Sequence, residues 1–444
     1  MNITVIGAAK SGKSAAILAK KLGNSVFVSE SGNIEKYKYT INDFDIAEIS
    51  YEFGGNTERC FENCDLIITS PGVPPSSWVM IEAKKRNLKV IGEIEYAFQN
   101  LKGNKIVAIT GTNGKTTTTS LINFILKTAG KKTILAGNIG NPLCDFVLSL
   151  TGGEIIVIEM SSYQLDTIDT FTPDIALILN ITPDHLGYHG SFEHYTDAKW
   201  KITLNQSKEN LLILNYDDEA LGGTHNKSAN VEYFSLSPIA NGIYSENGKI
   251  VLINQHNRTE ELMLTKDIRL PGVHNLYNSM AAVLAARRLE IRNEDIRDAL
   301  MNFSGVEHRL EFVRNFRNVE YINDSKATNI NATWFALSSY SVPIIWIAGG
   351  RGDNNDYSAL NTVVSKNVKT IICFGEDQDK IYNYFSPTTK CIKASTMENA
   401  VKFAQNDASE NEIVLFAPAC KSFDMFVNFE HRGEVYKKIV NSLV

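Results

Sequence analysis

The run Ile106-Val107-Ala108-Ile109-Thr110-Gly111-Thr112-Asn113-Gly114-Lys115-Thr116-Thr117-Thr118-Thr119 constrains this chain most. An apolar, β-branched strand ends in glycines, and a helical stretch, Ser120–Thr128, follows. Glycine lets backbone N–H groups turn toward an anion without a Cβ in the way, and the helix adds its positive N-terminal end. Lys115 then reaches the outer phosphates of a nucleotide and the Thr116 hydroxyl can ligate magnesium. An ordinary glycine turn is the bland alternative, and Gly-Lys-Thr in this strand–loop–helix context weighs against it.

Gly7-Ala8-Ala9-Lys10-Ser11-Gly12-Lys13-Ser14 fits the spelled-out phosphate-loop pattern better, because the loop at Gly111 is shorter. Its context differs. A helix and the strand Ser25-Val26-Phe27-Val28-Ser29 follow, ending at Glu30. An acid at the tip of the second strand is how a Rossmann-type unit meets a ribose or base. The first loop therefore reads as a nucleotide anchor and the second as the place where phosphate is cleaved.

A length of 444 residues fits about three domains. Net charge of −6 argues against a general nucleic-acid or anionic-membrane binder and leaves room for a local basic pocket. No apolar run approaches the roughly 18 residues of a membrane span, and the chain enters a strand at once, so no cleaved signal is expected. Six scattered cysteines read as reduced thiols of a cytoplasmic protein, Cys60 and Cys64 making a poor zinc site.

Strands and helices alternate over residues 1–92, which predicts a parallel sheet. Ser70-Pro71-Gly72 closes one strand at the carboxyl edge, where ligands of such sheets sit, although a plain proline turn explains it as well. A second domain is expected over 93–305. There Glu159, ending Ile155-Ile156-Val157-Ile158, is the natural second metal ligand, with a turn-capping acid as the alternative. His185 follows another strand tip and is read as a ligand or positioner, whereas His189 and His194 are read as surface histidines. Residues 219–267 look like a peripheral β insertion. Asn275 and Asn278 share one face of a helix and can grip a base edge, with helix capping the alternative for Asn275. In a third domain, 306–444, three strands end in polar loops, Asn323–Asn329, Ala348–Asp353 and Ala417–Asp424, a second binding surface.

With these residues in view, the chain resembles the Mur ligases over nearly its whole length. The motifs are Thr110–Thr117, Gly137-Asn138-Ile139-Gly140, Glu159-Met160-Ser161-Ser162-Tyr163-Gln164-Leu165, Asn180–His185, Ala198-Lys199, His274-Asn275 with Asn278, and His308-Arg309. Asp324-Ser325-Lys326-Ala327-Thr328-Asn329 points to the D-glutamate-adding branch, and Asn428–Gly433 supports it. The resemblance implies an α/β fold of three domains: N-terminal Rossmann-like, central P-loop ATPase-like, C-terminal Rossmann-like. It places UDP of the substrate on the first loop and ATP on the central one.

It further implies a ligase of cytoplasmic peptidoglycan precursor synthesis. ATP phosphorylates the carboxylate of UDP-N-acetylmuramoyl-L-alanine, and the amine of D-glutamate displaces phosphate from the acyl phosphate. Two magnesium ions and a monomeric enzyme are expected. Lys115, Glu159, His185 and Lys199 would be catalytic, and Thr116, Glu159, His185 and a carbamylated Lys199 the metal ligands. A solvated helical lysine is what residue 199 alone would suggest; carbamylation is implied by the resemblance only. ATP would meet Gly111, Thr112, Asn113, Gly114, Lys115, Thr116, Thr117, Asn275, Asn278, Arg309, Asp324 and Lys326. Ser11, Gly12, Glu30, Ser31, Ser70 and Gly72 would meet UDP. Asn138, Ser161 and His185 would face the muramoyl-alanine end, and Thr328, Ser422 and Phe429 would hold D-glutamate. One departure stands out. Asp353 lies where the family carries a lysine for the incoming amino acid, so Arg351 or Lys421 is expected to supply that charge.

Three rivals follow. Another Mur-type or folylpolyglutamate-type ligase is opposed by Asp324–Asn329. A nucleotide switch would hydrolyse ATP indifferently to amino acids. A dinucleotide oxidoreductase leaves the Gly111–Thr119 loop and Glu159 unexplained.

Overall fold

The structure, a computed structural model, describes residues 1–444 apart from 223–227, 254–257 and 353–354. The chain forms two compact units, Met1–Phe303 and Ser304–Val444.

The first unit holds two sheets. Strands β1 (Asn2–Ile6), β2 (Ser25–Glu30), β3 (Ser50–Phe53), β4 (Leu66–Thr69) and β5 (Val90–Gly92) pair in parallel, in the order β3-β2-β1-β4-β5. Runs such as Ile3-Thr4-Val5-Ile6 and Leu66-Ile67-Ile68 are buried throughout, as parallel strands covered by helices on both faces must be. The strand order reverses between β1 and β4, and Ile6 pairs with Thr69, so the Gly7 loop and the Ser70 turn leave the sheet side by side.

The second sheet is built from β6 (Lys105–Thr110), β7 (Thr133–Gly137), β8 (Ile155–Glu159), β9 (Ile175–Ile178), β10 (Leu211–Asn215), β11 (Asn230–Ser235), β12 (Gly242–Glu246), β13 (Lys249–Ile253) and β14 (Thr259–Leu264). Its order is β14-β13-β12-β11-β10-β9-β6-β8-β7. Strand β6 is thus flanked by β8 and β9, and its glycine loop emerges between their tips. The strands of the segment expected to be a peripheral β insertion, 219–267, lie at the outer end of this sheet and continue it: β11 pairs in parallel with β10, β12 with β11, and β13 and β14 add antiparallel strands.

Both sheets share one hydrophobic core. Ala15, Ala16 and Ala19 of the helix Lys10–Lys21 cluster with Ile94 and Ala97 of the helix Glu93–Phe98 and with Leu143, Cys144 and Val147. Polar anchors reinforce it. The buried Glu95 carboxylate accepts from the backbone N–H of Asp169 (2.9 Å), Thr170 (3.0 Å) and Phe171 (2.9 Å) and from the Thr170 hydroxyl. Those donors hold it below the usual carboxylate range against the opposing effect of burial.

The second unit carries β15 (Glu311–Phe316), β16 (Val319–Asn323), β17 (Ile344–Gly349), β18 (Val368–Phe374), β19 (Lys390–Lys393) and β20 (Ile413–Phe416). The order is β15-β16-β20-β17-β18-β19, parallel except for β15. Neighbouring β16, β20 and β17 are the strands that precede the three polar loops, which is why those loops meet at one edge.

Candidate active site

The helix after the central loop begins at Lys115, earlier than the expected Ser120, and runs to Thr128. Gly114 makes the break: its φ of +82° suits glycine, and a Cβ there would meet Asn278 Oδ1 at 2.3 Å. Asn278 therefore packs directly on the loop, its amide donating to Asn275 Oδ1 (3.3 Å). Asn275 is not the cap of its helix Val273–Arg288, which begins after Gly272; its amide donates to Pro271 O. Both asparagines are buried, as are Thr116 and Thr117.

The loop's shape is fixed from β9. Asn180 Oδ1 accepts from Asn113 N (2.8 Å), its amide donates to Asn113 O, and Thr112 N donates to Asn180 O (2.9 Å). The Thr112 hydroxyl bridges Thr182 O and the Tyr195 hydroxyl. Sequence reasoning did not single out Asn180 or Tyr195 as positioning groups; an amide directly after a buried strand was the available signal.

Lys115 Nζ donates to Gly111 O (2.8 Å) and Thr112 O (2.7 Å), folded over its own loop. Lys199 Nζ donates to the same Gly111 O at 2.8 Å. Two amine side chains thus converge on one carbonyl. Lys199 is 1 % exposed, lies over the Tyr195 ring at 4.5 Å, and has no carboxylate within ion-pair distance among the described residues. Burial, aided by Lys115, pushes its pKa down to about 6, so the amine is largely neutral at pH 7.

Glu159 ends β8, level with Ile109 of β6 and Gly137 of β7. It is 1 % exposed. Asn138 donates to it twice, from N to Glu159 O (2.8 Å) and from Nδ2 to Oε1 (2.8 Å). Oε2 has no hydrogen-bond partner among the described residues. A buried carboxylate oxygen left bare is costly unless a cation completes it, so the residues fit a hard divalent ion. No trio of His, Cys, Asp or Glu among the described residues could hold a metal alone.

His185 has a φ of +53° and stands 5.1 Å from the Tyr163 ring. Burial, with Lys115 and Lys199 nearby, lowers its pKa against the pull of Asp184. The expectation for His189 fails. It is buried at 8 %, stacked on Tyr163, with Nε2 2.9 Å from Ser162 Oγ. The helices Leu186–His189 and Phe192–Trp200 enclose it, and its ring packs against Tyr195 of the second. His194 is exposed. Ser161 caps the helix Ser162–Leu165 in a reciprocal box with Gln164.

The first loop is built differently. Lys13, the lysine of its phosphate-loop spelling, pairs with Asp43 at 2.9 Å instead of folding over the loop. Glu30 accepts from Ala8 N (2.8 Å) and Gly32 N (2.7 Å), and Ser70 Oγ lies 3.5 Å from Gly7 O. At Gly12 a Cβ would fall 1.9 Å from Gly7 O, so loop and helix touch there. Ser11 is half-buried and Gly72 open. A cleft of ≈ 650 Å³ opens beyond β2 and β3, lined by Ser31, Asn33, Tyr51, Glu52 and Phe53 among others. Glu52 is occupied by Ser29, Thr57 and Cys60, so the cleft offers mainly aromatic and small polar surface.

In the second unit Arg432 is fully buried. It donates to Ser325 Oγ (3.0 Å), Ser325 O (2.8 Å) and Cys420 O (3.0 Å), and so ties the loop after β16 to the loop after β20. Asp324 is buried beside Arg309 and Lys326; burial outweighs those cations and raises its pKa to about 7. Lys326 Nζ lies 5.8 Å over the Phe429 ring. Thr328 and Phe429 are half-buried and Ser422 is buried. Arg351 and Lys421 exchange backbone hydrogen bonds at 2.9 Å, which puts the two candidate cations side by side; the Arg351 guanidinium pairs with Glu376. Asp353 lies outside the described residues.

Comparison with known proteins finds three family models along the chain. Residues 2–79 match the MurD N-terminal domain, 109–286 the Mur ligase middle domain, and 308–420 the Mur ligase glutamate ligase domain. The UDP-N-acetylmuramoylalanine–D-glutamate ligase of Salinibacter ruber is 40 % identical, over 99 % of this chain and 98 % of its own. That of Acidobacterium capsulatum is 41 % identical, over 99 % and 95 %. The crystal structure of UDP-N-acetylmuramate–alanine ligase from Thermotoga maritima shares the fold, with a TM-score of 0.59 at 19 % identity over 100 % of this chain and 99 % of its own. The chain belongs to the Mur ligase family, among the UDP-N-acetylmuramoylalanine–D-glutamate ligases.

Proposed function

We infer that this chain is the ATP-dependent ligase that joins D-glutamate to UDP-N-acetylmuramoyl-L-alanine in peptidoglycan precursor synthesis. The observation that carries the reading is the convergence of Lys115 and Lys199 on the Gly111 carbonyl beside a buried, half-bare Glu159. Kinship at about 40 % identity over the full length names the amino acid.

The central loop supplies the ATP site. Its N–H groups and Lys115, swung off the Gly111 and Thr112 carbonyls, neutralise the β- and γ-phosphates, and Asn275 and Asn278 meet the base. The family resemblance carries Arg309, Asp324 and Lys326 over as ATP ligands as well. Magnesium, when bound, disperses phosphate charge; Glu159 Oε2, the Thr116 hydroxyl, His185 and a carbamylated Lys199 are the donors that would hold it, in two ions on this reading. Residues 1–92 hold the UDP substrate, through Ser11, Gly12, Ser31, Ser70 and Gly72, with Glu30 shaping the loop. Residues 93–305 carry the phosphoryl chemistry, and Asn138, Ser161 and His185 face the alanyl carboxylate. Residues 306–444 present D-glutamate through Thr328, Ser422, Phe429 and a cation. In-line placement is the main demand, since the carboxylate is itself the nucleophile toward phosphorus and the D-glutamate amine the nucleophile toward the acyl phosphate. The reading places a monomer in the cytoplasm; no helix among the described residues is long and apolar enough to cross a membrane.

Phosphate release with ATP and UDP-N-acetylmuramoyl-L-alanine tests this directly. Turnover is expected with D-glutamate and not with L-glutamate or without amino acid; release indifferent to the amino acid would refute ligation. Two further outcomes follow. ¹³C-labelled bicarbonate is expected to give a carbamate resonance in the wild type that Lys199→Arg lacks, and a wild-type spectrum without it removes Lys199 from the metal ligands. Arg351→Ala or Lys421→Ala is expected to raise the KM for D-glutamate about tenfold, as loss of a charged hydrogen bond does. Unchanged KM in both variants would show that neither replaces the missing lysine.

A further inference from the structure

The turn after β7 is held from two sides. On one, Asn138 fixes Glu159 through both its backbone N–H and its amide. On the other, Lys10 Nζ, from the first nucleotide loop, donates to Gly140 O at 2.6 Å, across 130 residues of sequence. The turn is tight: Gly137 N donates to Asn141 O and Ala136 bridges Asn141, so Asn138 and Gly140 are neighbours on one small loop. Its far end is anchored too, since the Glu93 carboxylate accepts from Cys144 N at 2.7 Å. Lys10 is exposed at the first position of the helix Lys10–Lys21, whose N-terminus has no side-chain cap. An ammonium has three donors, and one is spent on Gly140.

We propose that Lys10 is a positioning residue that couples occupancy of the first loop by the diphosphate of the nucleotide substrate to the placement of Glu159. This rests on the reading of residues 1–92 as the UDP site. With a diphosphate at the loop, the two remaining Lys10 donors turn to it while the third keeps Gly140. The ammonium then clamps the 137–141 turn, and through Asn138 the carboxylate, in the arrangement the phosphoryl step needs. Nucleotide substrate bound at the first loop would thereby steady the cation site.

The test is phosphate release by Lys10→Met and Lys10→Arg against wild type, with magnesium titrated at saturating ATP, D-glutamate and UDP-N-acetylmuramoyl-L-alanine, and thermal melts as a check on folding. Coupling predicts that Lys10→Met lowers kcat and raises the half-saturating magnesium concentration, each about tenfold, with Lys10→Arg close to wild type. A raised KM for the nucleotide substrate alone, with kcat and magnesium dependence unchanged, would make Lys10 a plain phosphate contact and overturn the proposal. A lowered melting temperature with unchanged magnesium dependence would do the same. UDP binding by calorimetry to Ser31→Trp, which fills the cleft beyond β2, separates the premise: undiminished binding there overturns the UDP reading itself, whatever Lys10 does.

Discussion

Lys115→Ala is expected to lower kcat for phosphate release at least about a hundredfold, the cost of removing a preorganised charge from a phosphoryl-transfer site. Lys115 opens the helix Lys115–Thr128 and folds back onto Gly111 O and Thr112 O, its ammonium poised over the loop. The buried Gly111 carbonyl keeps its bond from Lys199, and Thr112 is partly exposed, so losing Lys115 should leave the fold intact. Steady-state kinetics beside a thermal melt checks this. A variant with near-wild-type kcat would remove the central loop from the chemistry; loss of activity with equal loss of the fold would show a structural lysine.

Glu159→Ala is expected to cost a similar factor, for a different reason. The carboxylate is buried at the tip of β8 with Oε1 on Asn138 and Oε2 bare among the described residues, a place for a cation. Glu159→Gln sharpens the test. It keeps the shape and a hydrogen-bond partner for Asn138 but not the charge, so it should lose activity nearly as fully as alanine while melting no lower than wild type. Activity of the glutamine variant within a few fold of wild type would mean that Glu159 serves the turn at Asn138 rather than a metal.

Much of this was legible in the sequence where burial and local chemistry agree. The strands β1, β4, β6, β8 and β10 are short apolar runs with turn residues at their ends, and they lie where the runs do. Strands β3, β7, β15 and β19 are not apparent, because edge strands such as Ser-Tyr-Glu-Phe and Lys-Cys-Ile-Lys are only half covered and keep polar residues. The central helix was placed late because four threonines follow Lys115; intrinsic propensity disfavours them, and burial of Thr116–Thr119 overrides it. His189 was misplaced for a related reason. Nothing in Gly-Tyr-His-Gly announces burial, which comes from Tyr163 and Tyr195 elsewhere in the chain. The two phosphate-loop spellings show the limit most plainly. Pattern favours the first, yet its Lys13 is engaged by Asp43, a partner that only the folded helix Lys38–Ile46 brings near.

The anchoring of Glu95 bears on how the gene can be divided. A fragment ending near residue 92 would remove the helix whose carboxylate gathers the N–H groups of Asp169, Thr170 and Phe171, and would lay open the apolar faces of Ala15 and Ala16 that Leu143 covers. Severing the polypeptide between Phe303 and Ser304 crosses neither the Glu95 anchor nor that shared core. For expression as pieces, the natural cut therefore yields two products rather than three.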